Sequence, residues 1–247
     1  MRCVLSVAIF AATCAWGADD SSPAAKAIVD KGIKALGGIE NLTKFKAGTW
    51  KGKGAITLFG AEVPFVGEYA FQLPEQMKVS LLIESMDMKV TFITVLNGPK
   101  GWSNVGNMTL PLDKEGLNEN KERMHALWAQ MLTPLLDGKF ALSTLEDGEL
   151  EGRRIVGVKA AFAGRRDVEL WFDAATGMRV KSVTKVKDEL TRKEEKEETY
   201  YTDYTDFGGV KHPRKVIVKR NGKTLLEVNV AEYKPAEKLD DSHFGEP

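Results

Sequence analysis

From Gly48 onward the apolar residues of this chain recur at every second position, run after run, and one helical stretch interrupts them. Such alternation describes strands with one buried and one wet face, and strands joined by short turns pair antiparallel. Trp50, Ile56 and Leu58 share a face in the first run, and Val63, Phe65, Tyr69, Phe71 and Leu73 in the second. Met77, Val79, Leu81 and Ile83 follow in the third, then Met88, Val90 and Phe92 in the fourth. After the interruption the pattern resumes as KFALSTLED, RRIVGVKAAF, DVELWFD, MRVKSVTKVK, EETYYTDYTDF, VKHPRKVIVKR and TLLEVNVAEY. Gly and Pro punctuate the runs, and Asn221-Gly222 between alternating stretches is a strong hairpin signal. Asp173-Ala-Ala-Thr-Gly177, flanked by Val168/Leu170/Phe172 and Met178/Val180, predicts a tight turn with Gly177 at positive φ. The glycines of KGKGA lie inside a strand pattern and predict a bulge or kink.

About eleven strands are expected, with no strand–helix alternation of the doubly wound kind. The fold class is β-rich α+β: a single large antiparallel sheet of that size is curved, and its apolar face needs either a second sheet or a cover. Two helices are available to cover its concave face. In the N-terminal one, Ser22 caps, Pro23 takes the first helical position and Gly37-Gly38 stops it. Ala24, Ala27, Ile28, Ile33 and Leu36 form its apolar stripe. The inserted helix, over about residues 114–136, puts Met124, Leu127, Trp128, Met131, Leu132 and Leu135 on one face, with Pro134 disturbing its last turn.

These helices are short beside the sheet, so apolar concave surface is expected to stay open for a ligand. The lining candidates are Trp50, Phe65, Phe71, Val79, Leu81, Val90, Phe92, Met124, Leu127, Trp128, Met131 and Phe172. Plain core is the competing reading of each, and the methionines suit either role.

The chain opens MRCVLSVAIFAATCAWGADD, which reads as a secretory signal peptide over residues 1–17. Arg2 supplies the basic start, residues 4–12 the apolar run, and Ala15-Trp16-Gly17 the small-x-small cleavage site. Residues 18–247 then form a single domain. Cleavage removes both cysteines, so the exported, periplasmic chain has to hold together without disulfides. Lipid anchoring through Cys14 is the second-ranked reading of the same segment. No stretch of the mature chain is long and apolar enough for a transmembrane helix.

Lys and Arg balance Asp and Glu at 35 each, so nothing marks the chain for nucleic acid. His125, His212 and His243 lack metal-ligand spacing, no P-loop or nucleophile elbow occurs, and no cysteine nucleophile survives cleavage. No catalytic residue, metal or cofactor is expected, and an enzyme is not.

The order of helix, meander, helical insertion and second meander is similar to that of the LolA-like periplasmic lipoprotein-sorting carriers and relatives sharing their fold. Locally, LWFDAATGMRV resembles their strand–D-x-x-T-G–strand hairpin; DFGGVKHPRKV and the terminal LDDSHFGEP add to the likeness. The resemblance implies a half-barrel whose hollow, lidded by helices, holds acyl chains of a lipid or lipoprotein. The alternative is a sensor or assembly module using the same sheet to bind another envelope protein.

Overall fold

The structure, a computed structural model, describes residues 21–58, 60–85, 88–188 and 191–247. The expected signal peptide, its cleavage site and Cys14 lie outside the described residues. Helix α1 spans Pro23–Leu36 and α2 Gly38–Lys44. A meander follows: β1 Ala47–Leu58, β2 Ala61–Gln72, β3 Gln76–Ser85, β4 Met88–Asn97, β5 Lys100–Val105 and β6 Met108–Pro111. Helix α3, Lys114–Gln130, and a 3-10 turn at Thr133–Leu136 separate it from the remaining strands. These are β7 Ala141–Thr144, β8 Gly148–Leu150, β9 Arg153–Ala161, β10 Val168–Asp173, β11 Arg179–Lys187, β12 Glu194–Phe207, β13 Val210–Arg220 and β14 Lys223–Ala236.

One sheet of fourteen strands results, in the order β6-β5-β4-β3-β2-β1-β14-β13-β12-β11-β10-β9-β7, with β8 beside β9. The count exceeds the expected eleven by β5, β6 and β8. These are edge or near-edge pieces of three to six residues, too short to carry a period-two signal. The two meanders fuse through the first and last strands: Trp50 stands opposite Tyr69 on one side and Tyr233 on the other. Here the KGKGA glycines find their reason. The register slips between Lys51 and Gly52, and a Cβ on Gly54 would lie 1.9 Å from the Glu227 carbonyl oxygen. Only glycine lets β1 and β14 approach so closely, and the sheet bends along that seam.

The local signals decide the element ends. The Ser22 hydroxyl accepts from the Ala25 amide at 3.5 Å, and Gly37 closes α1 at φ 133°. The buried stripe of α1 is Ala25, Val29, Ile33 and Leu36, whereas Ala24 and Ala27 face solvent. Alanine suits either face, which is why the sequence pattern misplaced it. Asp113 caps α3 by accepting from the Gly116 amide at 2.7 Å. Leu132, at φ 66°, ends the helical path before Pro134. The 173–177 turn forms as expected: the Gly177 amide donates to the Asp173 carbonyl at 2.8 Å, with Gly177 at φ 77°. The Asp173 carboxylate accepts from the Thr176 and Ala175 amides and the Thr176 hydroxyl, and these bonds hold its pKa below the usual carboxylate range.

The core sits in three places. On the concave face, α1 presses Ala25, Val29 and Ile33 onto Val158, Val168, Leu170 and Phe172. Also on that face, α3 sets Met124 against Met77 and Leu96. The C-terminal segment crosses the convex face, burying Phe244 among Ala70, Val95 and Trp102.

Candidate functional site

Helix α3 stands off from the middle of the sheet and leaves a hollow of about 530 Å³ beneath it. Seven of the twelve lining candidates surround this space: Trp50, Phe65, Phe71, Val79 and Leu81 from β1 to β3, and Leu127 and Met131 from α3 and its end. Val216, Val218, Leu226 and Val228 form the opposite wall on β13 and β14. Trp50 stacks on Tyr69 with ring centres 4.3 Å apart, making one flat panel of that wall.

The other five take different positions, which corrects their placement in the hollow. Phe172 is buried under α1, where a Cβ on Gly32 would come within 2.7 Å of its ring. Met124 packs into the cluster with Met77 and Leu96. Trp128 turns away into an aromatic group with His125, Phe140 and Phe162, ring centres 5.3 Å from Phe140. A helix places residues 127 and 128 about 100° apart, so one can roof the hollow while the other packs beside it. Val90 and Phe92 share the concave face, Phe92 opposite Leu81, but lie on β4 outside the hollow, and Phe92 is 38% exposed. His125 is core: burial among these rings lowers its pKa.

Charged contacts moor α3 to the sheet beside its apolar stripe. Glu119 accepts two bonds from Arg166, at 3.0 and 2.8 Å, and one from the Lys187 amide at 2.9 Å. Burial pushes the Glu119 pKa up, but the Arg166 bonds, the Lys187 amide and the Arg123 charge outweigh it and hold it below the ordinary value. Glu122 pairs with Arg165 at 3.0 Å. Arg123 and Arg220 approach Glu197 at 3.9 and 2.9 Å, tying helix to β12 and β13 across the hollow.

The end of the hollow below the last turn of α3 is polar, which sequence patterning missed. Alternation would send Arg179 outward with Lys181, but a bulge opposite Trp171 and Phe172 shifts the phase and turns it inward. On β12, Asp203 takes φ 56°, and both Tyr201 and Tyr204 line the hollow although they are three residues apart. Arg179 lies over the Tyr201 ring at 4.4 Å, and its Nη1 donates to the Gln130 carbonyl. Tyr201 donates to Gln130 Oε1 at 2.6 Å, and Tyr204 donates to the Arg179 carbonyl at 2.8 Å. His212 stacks on Tyr233 with centres 4.1 Å apart. Burial drives the His212 pKa down to about 4 and those of Tyr204 and Tyr233 up to about 12, so all three are neutral. Among the described residues, no group of His, Cys, Asp and Glu is arranged to hold a metal ion. No described helix is long and apolar enough to cross a membrane.

No protein-family model and no curated protein matches the sequence. Solved structures do match. A LolA superfamily protein from Nitrosomonas europaea aligns at a TM-score of 0.55 and 12% identity, over 90% of this chain and 97% of that one. A candidate outer membrane lipoprotein-sorting domain from Vibrio parahaemolyticus gives 0.55 at 8% identity, over 89% and 95%. A DUF1329 family protein from Desulfovibrio piger gives 0.57 at 10%, over 90% and 97%. Identity this low establishes shared architecture and nothing finer. The fold is LolA-like: an unclosed antiparallel sheet carrying helices on its concave face.

Proposed function

We propose that this chain is an exported envelope protein that binds an acyl chain of a lipid or lipoprotein beneath α3, as a carrier rather than an enzyme. One observation supports this reading above the others. The same concave face that α1 fills to native density holds, under α3, an apolar-walled space of about 530 Å³. A methylene takes up about a water molecule's liquid share, roughly 30 Å³, so an extended chain of about sixteen carbons needs roughly 480 Å³. The hollow thus has room for at least one chain, and each methylene moved into it from water gains about 0.8 kcal/mol. Its polar groups are largely engaged with one another, which suits a binding wall better than a reaction centre.

A fluorescent fatty-acid or phospholipid probe tests this. The wild type binds it, and Leu127→Asp, which sets a charge into the roof, weakens binding at least about tenfold while circular dichroism stays unchanged. A wild type that binds no apolar probe, or a folded variant that binds as tightly, overturns the reading.

A second reading draws on the strip Phe92, Val105, Met108 and Leu110, all 38% exposed or more, which continues the apolar face toward edge strand β6. Such a strip suits docking of another envelope protein. A stable complex formed with the hollow empty would favour it.

A further inference from the structure

Two cations lining the hollow, the exposed Lys211 and the half-buried Arg179, have no counter-ion among the described residues. Arg123 and Arg220 share Glu197, but Arg179 has no carboxylate within ion-pairing distance among the described residues. Of its five N–H donors, one is used on the Gln130 carbonyl, and Nε is buried without any partner. The residue is half-buried and lies over the Tyr201 ring, and a buried donor such as its Nε left without an acceptor is costly. The chain nonetheless departs from regular strand geometry to put it there, through the bulge that turns Arg179 inward.

We infer that Arg179 seats the anionic end of the ligand, so that the hollow takes an amphiphile with one apolar chain and a terminal carboxylate or phosphate. This rests on the acyl-chain reading and narrows it. The acyl chains of a lipoprotein carry no anionic terminus for Arg179; a free fatty acid or a single-chain phosphate lipid does. The surroundings fit an anion. Tyr201, Tyr204, His212 and Tyr233 all line the same hollow, and its two carboxylates, Glu122 and Glu197, are each paired with arginine. The Tyr233 hydroxyl makes no hydrogen bond among the described residues and is open to the hollow, so it is a second donor in reserve. His212 donates its Nδ1 proton to the Pro213 carbonyl at 2.8 Å, and burial keeps the ring uncharged, so it adds no second charge beside Arg179. The walls leading away are aliphatic and aromatic.

The competing explanation is that Arg179 only closes the C-terminal end of α3 through the Gln130 carbonyl. Three probes of equal chain length separate the two: a fluorescent fatty acid, the matching fatty alcohol and the matching lysophosphatidic acid, titrated against wild type, Arg179→Gln and Arg179→Lys. The wild type should bind at least one anionic probe about tenfold or more tighter than the alcohol, as a charge-assisted hydrogen bond warrants. Which anion wins identifies a carboxylate or a phosphate ligand. Arg179→Gln should erase the preference by weakening the anionic probes far more than the alcohol, and Arg179→Lys should keep part of it. Equal binding of all three probes to the wild type overturns the anion seat while leaving the acyl hollow standing, and needs no variant to show it. Equal weakening of acid and alcohol in Arg179→Gln assigns the residue to helix closure and also overturns it. If no probe binds the wild type, the acyl reading fails and the anion seat fails with it.

Discussion

Two stretches of one concave face, built on the same alternating pattern, end in opposite states. Over β9 and β10 the face is solid: Val158 and Leu170 are fully buried, and Val168 and Phe172 are 1% exposed. Over β1 to β3, β13 and β14 it is hollow. The difference lies in the helices, since the strands present similar side chains to both. Helix α1 meets the sheet with Ala25, Val29 and Gly32, small enough for its backbone to come down onto the Phe172 ring. Helix α3 faces the sheet with Arg123, Leu127 and Gln130, and it is tied at its flank by Glu119 and Glu122. Interhelical and helix–sheet distance follows the side chains at the contact. Small residues make core; long ones with charged moorings hold a helix at a distance and leave space.

The largest effect should come from breaking the solid half. Phe172→Ala removes a ring with no route for collapse, because sheet and α1 backbone both fix its surroundings. A loss of about 3–5 kcal/mol is expected, read from the urea midpoint at unchanged m-value. A loss below about 1 kcal/mol would mean that α1 is no more closely fitted than α3.

A smaller effect tests the moorings of α3. Glu119 is held below its unfolded pKa by Arg166, the Lys187 amide and Arg123, so the sign is that of a depressed carboxylate. Its contribution is present above the unfolded value of about 4.3 and disappears as pH falls through the lower folded value. Glu119→Gln should cost about 1–3 kcal/mol at neutral pH and flatten the stability profile on the acid side of pH 4.3. Tryptophan fluorescence during acid titration, with Trp128 on α3 as reporter, should show the wild type losing its helix contacts there. An identical acid profile in the variant would place the holding force in the apolar stripe alone.

How much of this was legible follows from the same contrast. The hairpins were readable because turn chemistry is local: Asp173, Thr176 and Gly177 satisfy one another within five residues. The curved sheet and five of the hollow-facing residues followed from a period of two, and Leu127 and Met131 from the helical stripe. What escaped was set by the exceptions to that period. Arg179 faces inward through a bulge, Tyr204 after a residue in left-handed conformation, and neither leaves a mark in the hydrophobic pattern. Phe172 was assigned to the hollow because alternation identifies a face but says nothing of which helix covers it. Trp128 was misplaced by the breadth of a helical stripe, which here divides between roof and core.

The smallest stability effect, and the sharpest statement of the comparison, is expected at Leu81. It occupies the same face as Phe172 but is only half-buried, at the wall of the hollow. Truncating it to alanine opens no sealed cavity, since the space beside it already exists and the lost side chain was only partly removed from water. Leu81→Ala should therefore change the urea midpoint by less than about 1 kcal/mol, well under the cost of burying a leucine completely. Its atoms would be missed by a bound chain instead: losing contact worth about 1 kcal/mol weakens an apolar probe roughly fivefold. The two measurements belong together. In the solid half, removing volume costs stability and leaves probe binding untouched in any variant that still folds; in the hollow half it costs affinity at constant stability. If Leu81→Ala instead loses stability as Phe172→Ala does, with probe affinity unchanged, Leu81 is core and the hollow is narrower than its walls suggest.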